Sequence, residues 1–137
     1  MKLHHIGIAC KDIQKEKERV KHFHDIDEES EVIYDEEQNA HVCILRLQGG
    51  DKIELVSGSV VENVLKKQSA AYYHMCYEVY DLDKTIVDLV KRKAFVISEP
   101  KPAILFDNRR VAFLHLSYGV IELLESKRLD NLNFTES

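Results

Sequence analysis

Two histidines and two glutamates occupy matching positions in two similar halves of this chain. His74 follows His5 by 69 positions, and Glu122 follows Glu54 by 68 positions. This spacing is near half of the chain length and too long for a solenoid unit, so it indicates a duplicated domain half. A pseudo-twofold axis between the halves would bring the four side chains together. Two carboxylates and two imidazoles at one buried point require a cation.

The donor set restricts the kind of cation. Imidazole nitrogens and carboxylate oxygens suit one divalent ion among Co, Zn, Ni, Mn and Fe, and they do not suit Cu(I) or a calcium cage. An octahedral ion with four protein ligands keeps two adjacent positions for substrate oxygens. Such an ion polarises a bound carbonyl and stabilises the enolate that forms when a neighbouring C–H loses its proton. The base is the remaining requirement, and a ligand carboxylate that loosens during turnover could serve.

The elements that must position these residues follow from the hydrophobic pattern. Each half has a strand, a helix with an aspartate at its N-cap, and three further strands, which predicts two β-α-β-β-β modules. The histidine of each half lies in its first strand, and the glutamate lies in its last. The predicted strands are Leu3–Cys10, Val32–Tyr34, Val42–Leu47 and Lys52–Val56 in the first half, and Tyr72–Val79, Phe95–Ile97, Val111–Leu116 and Val120–Leu124 in the second.

These elements predict a single α+β domain over residues 1–137. Module one covers about 1–57 and module two about 70–126, and the two modules share one core. Residues 58–69 carry apolar side chains at helical spacing and are predicted to form a linking helix. Residues 127–137 are predicted to be a polar tail. The acidic run Asp25–Glu31 is expected to be a solvated loop.

Composition excludes several classes of partner. The chain has 137 residues, of which 45% are apolar, and this is enough for one buried core. A net charge of −5 offers no basic surface for phosphate backbones or anionic lipids, so we expect neither nucleic acid nor a membrane as partner.

No apolar run approaches the ~20 residues of a membrane span and no signal-like segment is present, which predicts a cytoplasmic protein. Cys10, Cys43 and Cys76 lack CxxC spacing and are expected to be reduced core residues.

Three further polar residues are candidates for substrate binding. Arg109 and Arg110 precede a strand, where either could clamp a carboxylate or phosphate through two hydrogen bonds, and surface solvation is the alternative of equal weight. His115, near the end of that strand, is a candidate substrate contact, with a core position as the alternative. His4 is expected to face away from His5, because side chains alternate along a strand, and to be packed rather than ligating.

At these residues the chain resembles the vicinal-oxygen-chelate superfamily, which comprises glyoxalases, bleomycin resistance proteins and dioxygenases. The resemblance spans residues 3–125 and is nearest to the methylmalonyl-CoA epimerase family. The motifs that carry it are His5-Ile6-Gly7-Ile8-Ala9, Lys52-Ile53-Glu54-Leu55, His74-Met75-Cys76-Tyr77-Glu78-Val79 and Gly119-Val120-Ile121-Glu122-Leu123.

The resemblance implies a fold and a set of roles. The two tandem βαβββ modules would form a curved mixed sheet around a central metal cavity. The implied metal ligands are His5, Glu54, His74 and Glu122, and Glu122 is also the implied catalytic base. Residues 102–110 depart from the epimerase pattern, which makes a different acyl thioester or a carrier-bound acyl group plausible, and no residue clearly matches the second catalytic carboxylate of that family.

Three functions remain open from the sequence. The leading hypothesis is a metal-dependent isomerase or epimerase that abstracts a proton α to a carbonyl or thioester through a metal-chelated enolate. The first alternative is a lactoylglutathione lyase-type isomerisation of a hemithioacetal, which needs the same metal and proton chemistry. The second is a metal-free ligand-binding or resistance protein, against which the quartet argues because clustered carboxylates carry a desolvation cost. The expected partner is a small-molecule acyl thioester or thiol adduct, and a homodimer is left open.

Overall fold

The computed structural model describes residues 1–127, so the predicted polar tail beyond Lys127 lies outside the described residues. The predicted α+β fold class is confirmed. In chain order the elements are β1 (Lys2–Cys10), α1 (Ile13–Phe23), β2 (Ile26–Glu29), β3 (Ile33–Asp35), β4 (Ala40–Leu47), β5 (Lys52–Ser57), a first 3₁₀ helix (Ser59–Leu65), β6 (Ala70–Val79), α2 (Leu82–Lys91), β7 (Phe95–Ala103), a second 3₁₀ helix (Ile104–Phe106), β8 (Arg109–Leu116) and β9 (Gly119–Glu125).

The nine strands within residues 1–127 form one mixed sheet. Its order is β2-β4-β5-β1-β6-β9-β8-β7, and β3 pairs with β4 outside this path. The two halves meet where β1 pairs antiparallel with β6. Each of these strands also pairs in parallel with the last strand of its own half, β1 with β5 and β6 with β9. The strands β5, β1, β6 and β9 therefore lie side by side at the centre of the sheet, related by a pseudo-twofold axis between β1 and β6.

Both α-helices begin at the aspartates that the sequence predicts as N-caps. Asp12 accepts a hydrogen bond of 3.0 Å from the backbone N–H of Lys15, and Asp81 accepts one of 3.0 Å from that of Lys84. Each cap contributes about 1 kcal/mol, because it satisfies a backbone N–H that has no partner within the helix. The two helices pack on the same apolar sheet face. Within residues 1–127, no helix combines the length and the apolar character needed to cross a membrane.

Shorter elements cover the opposite face of the sheet. On β1, Ile8 packs in the cluster under α1, whereas Ala9 belongs to the cluster on the other face, as alternation requires. The first 3₁₀ helix packs Val61 and Leu65 against this second face, and the second 3₁₀ helix packs Phe106 against it. The 3₁₀ helices thus shield from solvent the face on which the odd-numbered residues of β1 lie.

Three elements differ from the expectations set by the sequence. β2 forms within the acidic run that was expected to be a loop, because its backbone pairs with β4 while its acidic side chains stay in solvent. The segment between the halves contains a 3₁₀ helix rather than an α-helix. β7 extends to Ala103 through Pro100 and Pro102, which an edge strand tolerates because one side of it has no ladder to join.

Candidate metal centre

The four repeated residues lie on the four central strands, one on each. His5 is on β1, Glu54 on β5, His74 on β6 and Glu122 on β9. Their exposed fractions are 1%, 3%, 5% and 1%, respectively. One donor atom from each residue lies within 4.8 Å of the other three. The structure therefore brings together the four residues, called the quartet below, that the sequence selects.

The register of the central strands explains this convergence. Gly7 on β1 lies opposite Glu54 on one side and His74 on the other. Cys76 on β6 lies opposite both His5 and Glu122. Residues opposite one another on paired strands project to the same face of the sheet, so all four donor side chains enter the same buried space. The small residue at position 7 leaves room there for an imidazole.

The donor atoms are separated by the distances that a coordinated ion imposes. The Nε2 atom of His5 lies 3.2 Å from Oε1 of Glu54 and 3.1 Å from Oε1 of Glu122. The Nε2 atom of His74 lies 3.3 and 3.0 Å from the same two oxygens, and the two nitrogens are 3.4 Å apart. An ion with bonds of about 2.0–2.1 Å holds adjacent ligand atoms about 2.8–3.0 Å apart in octahedral coordination and about 3.3–3.4 Å apart in tetrahedral coordination. The quartet therefore fits a divalent ion.

The carboxylate of Glu122 provides a second indication that the quartet fits a cation. Its Oε1 atom is buried and has no hydrogen-bond partner among the described residues, although both imidazole nitrogens lie within 3.1 Å of it. A buried carboxylate oxygen without a partner is costly, because its lost hydration is not replaced. A cation between the four donors would compensate this oxygen directly.

Without an ion, protons balance the charge of the quartet. Burial lowers the pKa of His5, but the charges of Glu54 and Glu122 outweigh burial and raise the pKa to about 10. Burial also opposes protonation of His74, and the same two carboxylates raise its pKa. The two imidazoles in turn lower the pKa of both carboxyl groups against the effect of burial. A divalent ion that enters the centre must therefore displace the imidazole protons.

The position of His4 differs from the prediction. The pairing of β1 with β6 shifts register between Leu3 and His5, so strict alternation fails at this point. His4 contacts the ring of His5 instead of facing away from it. It is half-buried and packs against Phe106, as a packed residue should. Burial and the neighbouring His5 lower the pKa of His4 to about 4.

The two predicted arginine clamps lie outside the quartet and already have carboxylate partners. Nη1 of Arg109 lies 2.8 Å from Oε2 of Glu78. Nη2 of Arg110 lies 2.8 Å from Oε2 of Glu125 and 3.0 Å from Oδ2 of Asp83, near the start of α2. These ion pairs hold β8 to its neighbours. A role for either arginine in substrate binding stays a prediction.

His115, the third predicted substrate contact, is exposed and lies beside the centre. It lines a cavity of about 570 Å³ that His74 also lines. The other walls are apolar or phenolic and come from Ile6, Tyr72, Tyr73, Met75, Tyr118, Gly119 and Val120. This volume suits part of a small organic ligand. Contact between His115 and a substrate stays a prediction.

The fold and the quartet together define a class of protein. In this class a mixed sheet in an α+β fold carries a candidate metal site, formed by histidines and glutamates, between its two halves. The family model described as Glyoxalase/Bleomycin resistance protein/Dioxygenase superfamily matches residues 4–113. The chain therefore belongs to this superfamily.

Several solved structures share the fold. Methylmalonyl-CoA epimerase from Mycobacterium tuberculosis has a TM-score of 0.75 at 22% identity, over 95% of this chain and 91% of that one. The Streptomyces coelicolor epimerase, in complex with 2-nitronate-propionyl-CoA, has a TM-score of 0.67 at 21% identity, over 92% and 97%. The Mn(II)-bound glyoxalase from Novosphingobium aromaticivorans has a TM-score of 0.63 at 12% identity, over 90% of this chain but 38% of that one. No match was found among curated proteins.

We expect Gly7→Ala to disrupt the centre. A Cβ atom at residue 7 would lie 2.5 Å from Cε1 and 2.6 Å from Nε2 of His74, so the imidazole or the strand must move. The affinity for Zn²⁺, measured by calorimetric titration, should fall by at least about 10-fold. Gly49→Ala is the matched control, because a Cβ atom there meets nothing within 4 Å. Equal affinities in the two variants would contradict this prediction.

We also expect metal binding to release protons. Because the pKa of His5 is raised to about 10, Zn²⁺ should displace at least its proton near neutral pH; the raised pKa of His74 adds to the release, and the affinity should increase with pH. Calorimetry in buffers of different ionisation enthalpy measures the number of protons released. The metal-free protein should lose stability between about pH 6.5 and 10, because over that range the folded state binds the His5 proton and the unfolded state does not. Binding without proton release would refute the assignment.

Proposed function

We propose that the protein is a metal-dependent isomerase that removes and returns a proton on the carbon next to a carbonyl or thioester group, as in methylmalonyl-CoA epimerase. The proposal assigns His5, Glu54, His74 and Glu122 as ligands of one divalent ion. The observation that carries it is the convergence of these four donors, with Nε2-to-Oε1 distances of 3.0–3.3 Å, in a centre shielded from solvent.

Each part of the centre has a separate task in this chemistry. When bound, the ion supplies a Lewis acid that polarises the carbonyl oxygen. His5 and His74 are neutral as ligands, and they fix the geometry of the metal centre. Glu122 is assigned as the base, because its carboxylate has a lowered pKa and is therefore ionised at neutral pH. A base with so low a pKa is weak, so substrate binding must loosen its contacts with the imidazoles and bring its pKa closer to the working pH.

Aromatic side chains surround the imidazoles of the quartet. The rings of Phe106 and Phe113 pack against His5 and His74, respectively. Exclusion of water strengthens the electrostatic interactions within the centre and limits competing reactions. The cavity of about 570 Å³ that His74 lines provides space for an acyl group.

An acyl thioester is the proposed substrate class. Support comes from the epimerases that share the fold, one of which is in complex with a CoA ester. Residues 102–110 differ from the epimerase pattern; here they form the end of β7, the second 3₁₀ helix and the start of β8. This segment places Phe106 against the centre. The proposed class therefore includes methylmalonyl-CoA, other acyl thioesters and carrier-bound acyl groups.

Isomerisation of a hemithioacetal is the second candidate function. It is favoured by the fold shared with the Mn(II)-bound glyoxalase, and it needs the same Lewis acid and the same proton transfer. A metal-free binding protein is less well supported. In that case the two buried carboxylates would depend on protonated imidazoles alone to balance their charge, and a ligand-binding cavity has no need of such a cluster.

We expect the metal-loaded protein to exchange the α-proton of an acyl thioester for deuterium in D₂O without hydrolysis. Methylmalonyl-CoA and propionyl-CoA are the probes, mass spectrometry measures deuterium uptake, and methylglyoxal with glutathione is assayed in parallel. Exchange of either thioester supports the proposal. Turnover of the hemithioacetal alone would favour the second candidate, and the absence of both reactions with metal bound would contradict the proposed chemistry.

Glu122→Gln should slow the exchange by about 10²- to 10⁴-fold, because an amide cannot accept the proton. Glu99→Gln is the matched control, since Glu99 is exposed on β7 and makes the same carboxylate-to-amide change away from the quartet. Calorimetry on each variant establishes whether metal is still bound. Full exchange by a metal-loaded Glu122→Gln protein would show that another residue is the base.

A further inference from the structure

The two imidazoles of the quartet differ at Nδ1, the ring nitrogen that faces away from the other donors. Nδ1 of His5 lies 2.9 Å from Nδ1 of His4 and forms a hydrogen bond with it. Nδ1 of His74 is buried and has no hydrogen-bond partner among the described residues. The offset of 69 that relates His74 to His5 places Tyr73 where the first half has His4. The ring of Tyr73 contacts His74 edge to face, with centroids 4.7 Å apart.

The direction of the His4–His5 hydrogen bond follows from the ligand role of His5. A neutral imidazole has one lone pair and one N–H, on different nitrogens. If Nε2 of His5 binds the ion, Nδ1 of His5 carries the proton and must donate. Nδ1 of His4 is then the acceptor, and the proton of the neutral His4 ring lies on its Nε2 atom. The contact thus selects one tautomer for each ring.

Backbone and packing both hold His4 in the position that makes this contact. The register shift between Leu3 and His5 places two consecutive side chains of β1 near one another. Phe106 of the second 3₁₀ helix then contacts both rings. It meets His4 edge to face at 5.4 Å and stacks on His5 at 5.4 Å with an interplanar angle of 23°. The pair of imidazoles is therefore fixed by a hydrogen bond and by a shared aromatic neighbour.

We propose that His4 is a positioning residue of the metal centre, which fixes the tautomer and ring orientation of His5 and makes His5 a more firmly held ligand than His74. This inference rests on the proposed metal site. Ligand histidines commonly donate their second N–H to a carboxylate, a backbone carbonyl or water, and such supports affect metal affinity by about 10- to 100-fold. In this chain the acceptor is a second imidazole, that of His4.

We assign His4 to the support of His5 and not to a second metal site. Its donor atom lies within 4.8 Å of those of His5 and Cys76, which is compatible with a cluster of three ligands. An ion bound there would need the lone pair of His5 Nδ1. That nitrogen carries the proton whenever Nε2 of His5 binds an ion in the quartet, so the two sites exclude each other.

Two substitutions at residue 4 separate the hydrogen bond from packing. His4→Phe keeps a ring against Phe106 but removes the acceptor. His4→Asn restores an acceptor, because its Oδ1 atom is as far from the backbone as Nδ1 of histidine. His22→Phe makes the same change at an exposed position of α1 and is the matched control. Co²⁺ is the probe, because calorimetry gives its affinity and its visible absorption spectrum reports ligand geometry.

We expect His4→Phe to weaken Co²⁺ binding by about 10- to 100-fold and to change the spectrum. His4→Asn should recover most of the affinity and the wild-type spectrum, and His22→Phe should match wild type. Wild-type affinity and spectrum in His4→Phe would overturn the role of His4 and leave the metal site intact. If wild-type protein binds no Co²⁺, the proposed metal site itself fails and this inference fails with it.

An independent measurement needs no substitution. In Zn²⁺-loaded protein with ¹⁵N-labelled histidine, the Nδ1 proton of His5 should be protected from exchange and should show coupling across the hydrogen bond to Nδ1 of His4. A His5 ring that carries its proton on Nε2 in the Zn²⁺ form would overturn both the role of His4 and the assignment of His5 as an Nε2 ligand. A proton on Nδ1 without coupling to His4 would overturn the role of His4 alone.

Discussion

The burial of two carboxylates beside two imidazoles is the interaction on which the rest of the structure depends. Glu54 and Glu122 share the same two neighbours and are almost fully removed from water, so their negative charges must be neutralised. Two protons on the imidazoles can do this, and so can one divalent ion. The net charge of the centre is the same in both cases. The fold can therefore form before an ion binds, and ion entry needs no rearrangement driven by unbalanced charge.

The sheet satisfies this constraint by giving one donor to each of its four central strands. The same arrangement limits what can stand between the donors. Residue 7 must be a glycine, because His74 occupies the space that a Cβ atom would need. Across the pseudo-twofold axis the corresponding residue is Cys76, which does carry a side chain. Burial, then the charges of Glu122 and Glu54, raise the pKa of this thiol, so it stays neutral and does not add a third negative charge.

Much of this centre could be predicted from the sequence, because the signal is local and repeated. The alternation along β5 and β9 and the two aspartate N-caps depend on short-range patterns, and the matched histidines and glutamates follow from the repeat of the whole half-domain pattern. The role of His4 could not be predicted in this way. The bulge that redirects its side chain depends on how β1 pairs with β6, about 70 positions away. The formation of β2 likewise depends on an edge of β4 that becomes available only in the folded sheet.

The duplicated scaffold does not by itself distinguish the two carboxylates, since each lies at similar distances from both imidazoles. The difference must come from what surrounds the quartet. On the β5 side, the strand that carries Glu54 is covered by the first 3₁₀ helix. On the β9 side, Gly119 and Val120 line the apolar and phenolic cavity next to His74, close to Glu122 in the chain. The cavity that His5 lines also has apolar walls, but it carries the charged residues Lys2, Asp51, Lys52 and Glu78, whereas, among the described residues, no acidic or basic side chain other than histidine lines the cavity next to His74. An acyl chain avoids charged walls, so it would approach from the His74 side, where Glu122 is the carboxylate on the adjacent strand. This difference supports Glu122, and not Glu54, as the residue that exchanges protons with substrate.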